Sequence, residues 1–194
     1  MRNHLPTAIR AALGALLLTV TTGVAAQPEP QSPPAPPAGM ARIATIAGHW
    51  TVTGKVALGG PGSEMTEIAT TSEVESVFGG RFLQETSSIT SGEMVLTYIC
   101  TRSYDIFQKR FRMSCLDNDM GLMDIYEGSF EGDRLVLSNV GSQTSYNVSA
   151  GPVYSRNILQ ILSADSFQVD WESSTDGGKT WKLAARNTYQ RRTP

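Results

Sequence analysis

Short turns rich in glycine and aspartate divide most of this chain into brief extended stretches. The turns include Gly59–Gly62, Gly79-Gly80, Ser91-Gly92, Glu131–Asp133 and Asp176–Gly178. Such turns join antiparallel neighbours, because parallel strands need a long crossover connection. A long meander must also hide its two edge strands, and closure is the simplest way to do so. The sequence therefore predicts an all-β fold, an antiparallel up-and-down β-barrel.

The stretches between the turns are rich in Thr, Ser, Val, Ile, Tyr and Phe, which is typical of strands. They predict about ten strands, preceded by one short N-terminal helix at Ile43–Ala47. Other helix signals are almost absent. The expected spans are His49–Leu58, Met65–Phe78, Arg81–Thr90, Glu93–Tyr104, Lys109–Leu116, Gly121–Glu131, Arg134–Val140, Ser145–Val148, Asn157–Ser163, Ser166–Ser173 and Thr180–Gln190.

One predicted hairpin fixes its own register. If its turn occupies Ile106–Lys109, Asp105 pairs with Arg110, and Cys100 then lies opposite Cys115. The face with the cysteines carries Leu96, Tyr98, Cys100, Tyr104, Phe111 and Met113, and the other face carries Thr97, Thr101, Ser103, Arg110, Arg112 and Ser114. Because side chains alternate between the faces of a strand, this pattern predicts an apolar inner face and a polar outer face.

Cys100 and Cys115 are the two cysteines of the chain. An even number of cysteines in an exported domain favours a disulfide, and a cross-strand position permits one. Their spacing fits neither a C-x-x-C redox motif nor a zinc site. We therefore expect a Cys100–Cys115 disulfide, with two packed, reduced cysteines as the alternative.

Residues 1–26 have the form of a secretory signal peptide. An apolar run covers Ala11–Val20, after two arginines near the start, and Val24–Ala26 resembles a cleavage site. The run is shorter than the roughly 20 residues of a bilayer-spanning helix, so an uncleaved membrane anchor is the less favoured alternative. We expect a periplasmic or secreted protein, with a signal of bacterial style and no membrane span after cleavage.

Residues 27–41 contain six of the ten prolines, which favours a disordered, Pro-rich linker. Residues 42–192 then form a single β-barrel domain. Signal cleavage leaves fourteen Lys and Arg residues against eighteen Asp and Glu residues. This mildly acidic balance argues against a nucleic-acid partner and against docking on anionic lipid. The oligomeric state stays open.

Four short motifs follow one another along the domain. They are a Gly-x-Trp opening at Ile46–Trp50, a Tyr-Asp strand end at Ser103–Asp105, an alternating Leu segment at Gly132–Leu137 and a closing Tyr-x-Arg at Asn187–Arg191. In this order they resemble the family called domain of unknown function 1579, a calycin-type β-barrel. The resemblance implies a calycin-like barrel of about ten strands with no established catalytic residues. The chain departs from the family pattern at Ser103, where glycine is usual.

A segment near the C-terminus matches the pattern S-x-D-x-G-x-T-W, at Ser174–Trp181. This pattern resembles the Asp-box of sialidases, but a sialidase propeller needs several copies over several hundred residues. We therefore expect a structural turn, in which Asp176 accepts bonds from the following amides while Gly177 and Gly178 supply positive φ.

Other chemical sites lack partner residues. His49 is the one histidine left after signal cleavage, so haem, a Ser-His-Asp triad and tetrahedral zinc all lack ligands or partners. Asp117–Gly121 is spaced like a calcium loop but lacks the terminal glutamate, and a solvated turn explains it more simply. We expect no cofactor, no metal and no catalytic residue. A hydrolase site built from Asp117, Asp119 and Asp124 is a less favoured alternative.

The inner face predicts a ligand site instead. Arg102 shares this face with the aromatic and sulfur-containing side chains Tyr98, Tyr104, Phe111 and Met113. A guanidinium in such surroundings can clamp the carboxylate or phosphate of an apolar ligand, whereas an arginine at the rim would reach out to water. We expect an exported, non-catalytic barrel that binds a small apolar or amphipathic molecule. A filled barrel that serves as a structural or protein-interaction module is the alternative.

Overall fold

The computed structural model describes residues 35–148 and 151–192. The predicted signal peptide, residues 1–26, lies outside the described residues, as does most of the predicted linker, residues 27–41. In the described part, helix α1 at Ala38–Ala41 and a 3-10 turn at Ala44–Ile46 precede eleven strands. The strands are β1 Gly48–Val56, β2 Thr66–Val77, β3 Phe82–Ser91, β4 Met94–Asp105, β5 Arg110–Asp117, β6 Met123–Glu131, β7 Arg134–Ser138, β8 Tyr146–Val148, β9 Gly151–Ser163, β10 Ser166–Ser174 and β11 Lys182–Arg191.

The strands form a closed ring. Strands β1 to β7 are neighbours in chain order, β7 pairs with β9, β9 with β10, β10 with β11, and β11 with β1. Every one of these pairs is antiparallel. Ten of the described strands therefore make a closed antiparallel barrel, and β8 adds one short strand beside β9. The predicted up-and-down barrel of about ten strands with a short N-terminal helix is confirmed.

Strand β9 begins earlier than the sequence predicts. It starts at Gly151 rather than at Asn157, and its first residues pair with β8 before the strand turns to β7. Gly151 and Pro152 favour turns, so the sequence pattern does not predict a strand at these residues. The fully buried Val153 and the pairing with β8 hold it extended instead.

The first and last predicted motifs meet where β1 closes the ring with β11. Trp50 pairs with Arg191, whose guanidinium stands 4.2 Å from the centre of the indole ring. The same guanidinium donates to the carbonyl oxygens of Ala47 at 3.0 Å and Thr45 at 2.6 Å. The indole N–H of Trp50 donates to the carbonyl of Ile46 at 2.9 Å. These bonds fix the 3-10 turn against one end of the barrel.

That end, which we call the closed end, contains most of the apolar core. Met40, Ile43 and Ile46 enter it from the N-terminal segment and are almost fully buried. Met40 belongs to α1, so residues 38–41, assigned to the linker by their proline-rich context, form part of the packed domain. The barrel residues packed around them include Trp50, Leu83, Phe111, Leu135, Leu159, Phe167 and Tyr189.

The hairpin of β4 and β5 has the predicted register. Asp105 pairs with Arg110, and Cys100 lies opposite Cys115. The Asp105 carboxylate accepts bonds from the amides of Phe107 and Gln108, which holds the turn. The two cysteines form a disulfide. Both the register and the disulfide predictions are confirmed.

We expect reduction of the Cys100–Cys115 disulfide to lower the free energy of unfolding by about 3 kcal/mol, because the bond closes a loop with a sequence separation of 15. Urea unfolding with and without reductant measures the effect. A Cys100→Ala/Cys115→Ala variant is the control, and its stability should not respond to reductant. A wild-type protein equally stable in both conditions would contradict the prediction.

Candidate functional site

A cavity of about 290 Å³ opens at the end of the barrel opposite α1, and we call it the mouth cavity. Strand β4 shows its position: Tyr104 lies against Gly39 of α1, whereas Leu96, near the other end of the strand, lines the cavity. The apolar lining consists of Val56, Ala57, Ile89, Leu96, Leu116, Met120, Leu122, Trp171, Ala184, Ala185 and the Cys100–Cys115 disulfide. The polar lining consists of Tyr98, Asp117, Asp124, Tyr126, Tyr146, Ser155 and Asn187.

A buried ion pair lies beneath the cavity. Arg102, one inward-facing position deeper than Cys100 on β4, places Nη1 2.9 Å from Oε2 of Glu85. The other carboxylate oxygen of Glu85 accepts bonds from the hydroxyls of Tyr189 at 2.7 Å and Ser72 at 3.2 Å. Arg102 and Glu85 are 1% and 2% exposed. Because the two charges neutralise each other, the floor of the cavity carries no net charge.

Two tyrosines complete this floor. Tyr98 lines the cavity and lies beside Tyr189 and Ser87. Burial, followed by the negative charge of Glu85, raises the pKa of Tyr98 to about 12. The same two causes raise the pKa of Tyr189 well above its usual value. Both phenols are therefore neutral hydrogen-bonding groups over the physiological pH range.

The five residues predicted to bind a ligand occupy three different levels of the barrel. Tyr98 lines the mouth cavity, and Arg102 lies in the floor with its charge matched by Glu85. Met113 lies opposite Arg102 at the level of the floor, whereas Tyr104 and Phe111 pack in the core nearer α1. Arg102 thus points inward rather than to water, but its guanidinium is engaged with a carboxylate of the protein itself.

A buried carboxylate, that of Asp124, lies in the wall of the mouth cavity. Asp124 is 8% exposed and accepts bonds from the hydroxyl of Tyr126 at 2.6 Å, the amide of Asn139 at 3.0 Å and the hydroxyl of Thr144. All three donors are neutral. Among the described residues, no Lys, Arg or His forms a salt bridge with Asp124.

The Asp124 charge affects two neighbouring phenols. Burial, followed by this charge, raises the pKa of Tyr126 well above its usual value. The same two causes raise the pKa of Tyr146. From the sequence, Asp124 was considered only as a hydrolase residue and was not placed inside the barrel. Its position opposite Cys115 across β5 and β6 places it on the inner face.

Asn187 lines the mouth cavity and has a buried hydrogen-bond acceptor without a partner in the described part of the chain. It is 3% exposed, and its side-chain oxygen has no donor among the described residues. A Cβ atom on Gly54, its partner in β1, would lie 2.5 Å from this oxygen and 2.2 Å from the carbonyl oxygen of Arg186. Glycine at that position therefore gives the Asn187 amide its space. From the sequence, Asn187 was recognised only as part of the closing motif.

The remaining candidates lie on the outer face, at the rim of the cavity or in an exposed turn. His49 stands on the outer face, with Nδ1 3.6 Å from the Glu73 carboxylate. Asp117 reaches the cavity rim, but one of its oxygens accepts the backbone amides of Asp119 and Met120 and so stabilises that turn. Asp119 is exposed and is not part of the lining. In the described part of the chain, no group of three His, Cys, Asp or Glu residues could hold a metal ion.

Asp176 organises the turn between β10 and β11. Its carboxylate accepts bonds from the backbone amides of Lys179 and Thr180, from the Thr180 hydroxyl and from the Ser174 hydroxyl. The bonds from Thr180, the hydroxyl first, lower the pKa of Asp176 well below its usual value. Gly177 and Gly178 have φ values of 74° and 83°. The Asp-box-like segment is thus a hydrogen-bonded turn on the exterior of the barrel.

Comparison with protein-family models identifies the family of this chain. A family model described as "Protein of unknown function (DUF1579)" matches residues 36–191. The chain belongs to the DUF1579 family. The matched residues include the barrel and α1, so the mouth cavity and its floor lie within the family domain.

No curated protein matches this DUF1579 member. Among solved structures, a redesigned β-barrel aligns with 12% identity and a TM-score of 0.39, over 77% of this chain and 94% of that chain. None of the helices in the described residues combines the length and apolar character that a bilayer crossing requires.

Proposed function

We propose that this DUF1579 member is an exported, non-catalytic barrel that binds one small apolar or amphipathic molecule in the mouth cavity. The observation that supports this function is the cavity itself, about 290 Å³ with an apolar wall above a polar floor. Its volume lies near the lower end of the range of small-molecule sites. Small barrels are filled by side chains or leave room for one small ligand, and this barrel leaves the mouth cavity above its buried floor.

The cavity wall is suited to an apolar chain. Ile89, Leu96 and Trp171 line it from three different strands, together with the Cys100–Cys115 disulfide. Apolar ligand surface that packs against these groups is removed from water. This burial contributes roughly 25 cal/mol per Å² to the free energy of binding. The polar groups sit deeper, at Tyr98 and Asn187, where they can orient the head of an amphipathic molecule.

Two further features support export. Residues 1–26 have the form of a signal peptide. The Cys100–Cys115 disulfide is the kind of bond that persists in an oxidising compartment. Export also suits a binding role, because a periplasmic or secreted barrel meets small molecules outside the cytoplasm.

We expect filling of the cavity to abolish binding. Ile89 is 5% exposed and lines the mouth cavity, so Ile89→Trp should lower the affinity for octanol by at least about tenfold. Ile99 lies on the outer face of β4, so Ile99→Trp is the matched control and should leave the affinity unchanged. Isothermal titration calorimetry with octanol measures both effects, and circular dichroism checks that both variants are folded.

Equal octanol affinities for the two variants would place binding elsewhere on the protein. Native mass spectrometry of wild-type protein purified from its own host provides a test that needs no variant. We expect a bound small molecule that dissociates on denaturation. A protein that carries no bound mass and takes up no octanol would contradict the proposed function.

A further inference from the structure

We propose that the mouth cavity selects a cationic amphiphile, a small molecule with a protonated amine or quaternary ammonium group on an apolar body. This inference rests on the proposed function and specifies the chemical class of its ligand. It follows from the charges, the hydrogen-bond acceptors and the aromatic groups of the cavity.

The charges of the lining are of one sign. Two carboxylates, those of Asp117 and Asp124, belong to the lining, and no Lys, Arg or His does. Asp124 is buried, and its partners are neutral. Because neutral donors leave the negative charge of Asp124 uncancelled, a bound cation gains Coulomb energy here that an anion cannot. Arg102, the nearest basic residue beneath the cavity on β4, is already paired with Glu85.

Among the lining residues, the buried side-chain atom that has no hydrogen-bond partner is an acceptor. The Asn187 side-chain oxygen is buried and has no donor among the described residues. Asp124 accepts three donors, whereas a carboxylate has about four lone-pair sites. The Tyr126 hydroxyl donates to Asp124 and is therefore not available to an anionic head. An ammonium group supplies donors and has no acceptor, which complements this arrangement.

Aromatic side chains surround the same part of the cavity. Tyr98, Tyr126, Tyr146 and Trp171 all belong to the lining, and the rings of Tyr126 and Trp171 meet edge to face at 5.6 Å between centroids. Aromatic faces attract organic cations, most strongly where water is excluded. The cavity therefore offers an ammonium group a carboxylate and several aromatic rings.

Three ligands with the same chain test the inference: octylamine, octanol and octanoate, each titrated calorimetrically into the purified protein at neutral pH. We expect octylamine to bind at least about tenfold more tightly than octanol, and octanoate to bind more weakly than octanol. Asp124→Asn should remove the advantage of octylamine, so that the variant binds octylamine no more tightly than octanol. Asp119→Asn is the matched control, because it removes the same charge from an exposed turn outside the lining.

The outcomes separate the inference from the proposed function. If octanol binds and octylamine binds no more tightly, or if octanoate binds best, the inference fails while the proposed function stands. If Asp119→Asn weakens octylamine binding as much as Asp124→Asn, the attraction is general and the inference also fails. If none of the three compounds binds, the proposed function itself fails. Should Asp124→Asn not fold, the ranking of the three ligands on the wild-type protein decides.

Discussion

Arg102→Met is expected to lower the free energy of unfolding by about 3–5 kcal/mol. The substitution leaves the Glu85 carboxylate buried, with only the hydroxyls of Tyr189 and Ser72 as partners. An uncompensated buried charge costs far more than the lost contact itself. Urea unfolding followed by circular dichroism measures the change.

A double variant distinguishes the buried charge from the loss of packing. Glu85→Leu in the Arg102→Met background removes both charges, and we expect it to recover most of the lost stability, because an apolar pair is often as stable as a buried ion pair. The exposed pair of Lys55 and Glu67 is the surface control, with side chains 59% and 82% exposed. Lys55→Met should change the stability by less than about 1 kcal/mol.

Two results would contradict this account of the floor. One is an Arg102→Met variant that loses no more stability than Lys55→Met does. The other is a double variant no more stable than the Arg102→Met single variant. That result would assign the loss to packing against Leu83 on β3 and Met113 on β5, the residues paired with Arg102. Neither result would bear on the ligand of the mouth cavity, because Asp124 has its own set of partners.

The parts of the fold that depend on local pattern could be predicted from the sequence. The turn at Ile106–Lys109 sets the register of β4 and β5, and that register alone places Cys100 opposite Cys115. The same alternation put Arg102 on the inner face, where it lies. Strand alternation and tight turns are local properties, so one sequence was sufficient for these features.

The partner of Arg102 was within reach of the same method. A two-residue turn after Ser91 pairs Ser91 with Met94, and counting back from there puts Glu85 opposite Cys100, next to Arg102. If residue pairs are not counted across this second hairpin, Arg102 is expected to have no carboxylate partner within the protein. A charged residue on an inner face calls for a search of the neighbouring strands for the opposite charge.

The mouth cavity was beyond sequence reasoning for a physical reason. A longer loop, residues 118–122, separates β5 from β6, so no tight turn fixes the register that brings Asp124 opposite Cys115. The donors to Asp124 include Asn139 and Thr144, which lie outside any strand. The side-chain oxygen of Asn187 on β11 occupies space that a side chain at Gly54 on β1 would fill. Such features depend on the closure of the whole ring.

Raising the pH from 10 to 12 is expected to destabilise the barrel strongly. The pKa of Tyr98 rises from its ordinary value of 10.0 to about 12 in the folded protein, first because of burial and then because of the Glu85 charge. A raised pKa means that folding favours the neutral phenol. The resulting stability is fully present below pH 10 and is lost as the pH rises to about 12. At about 1.4 kcal/mol for each pH unit, Tyr98 alone accounts for a loss of about 3 kcal/mol.

Tyr126 and Tyr189 act in the same direction, because their pKa values are also raised well above the usual value. Urea unfolding at several pH values between 8 and 12 measures the total loss, and tyrosinate absorbance follows the phenols. Tyr98→Phe removes one of the buried phenols, so we expect its stability to fall by about 3 kcal/mol less than that of the wild type over this range. Tyr154→Phe is the matched control, since Tyr154 lies on the outer face of β9 beside the inward-facing Val153. If Tyr98→Phe and Tyr154→Phe lose stability in parallel with the wild type, the floor tyrosines do not carry the alkaline sensitivity.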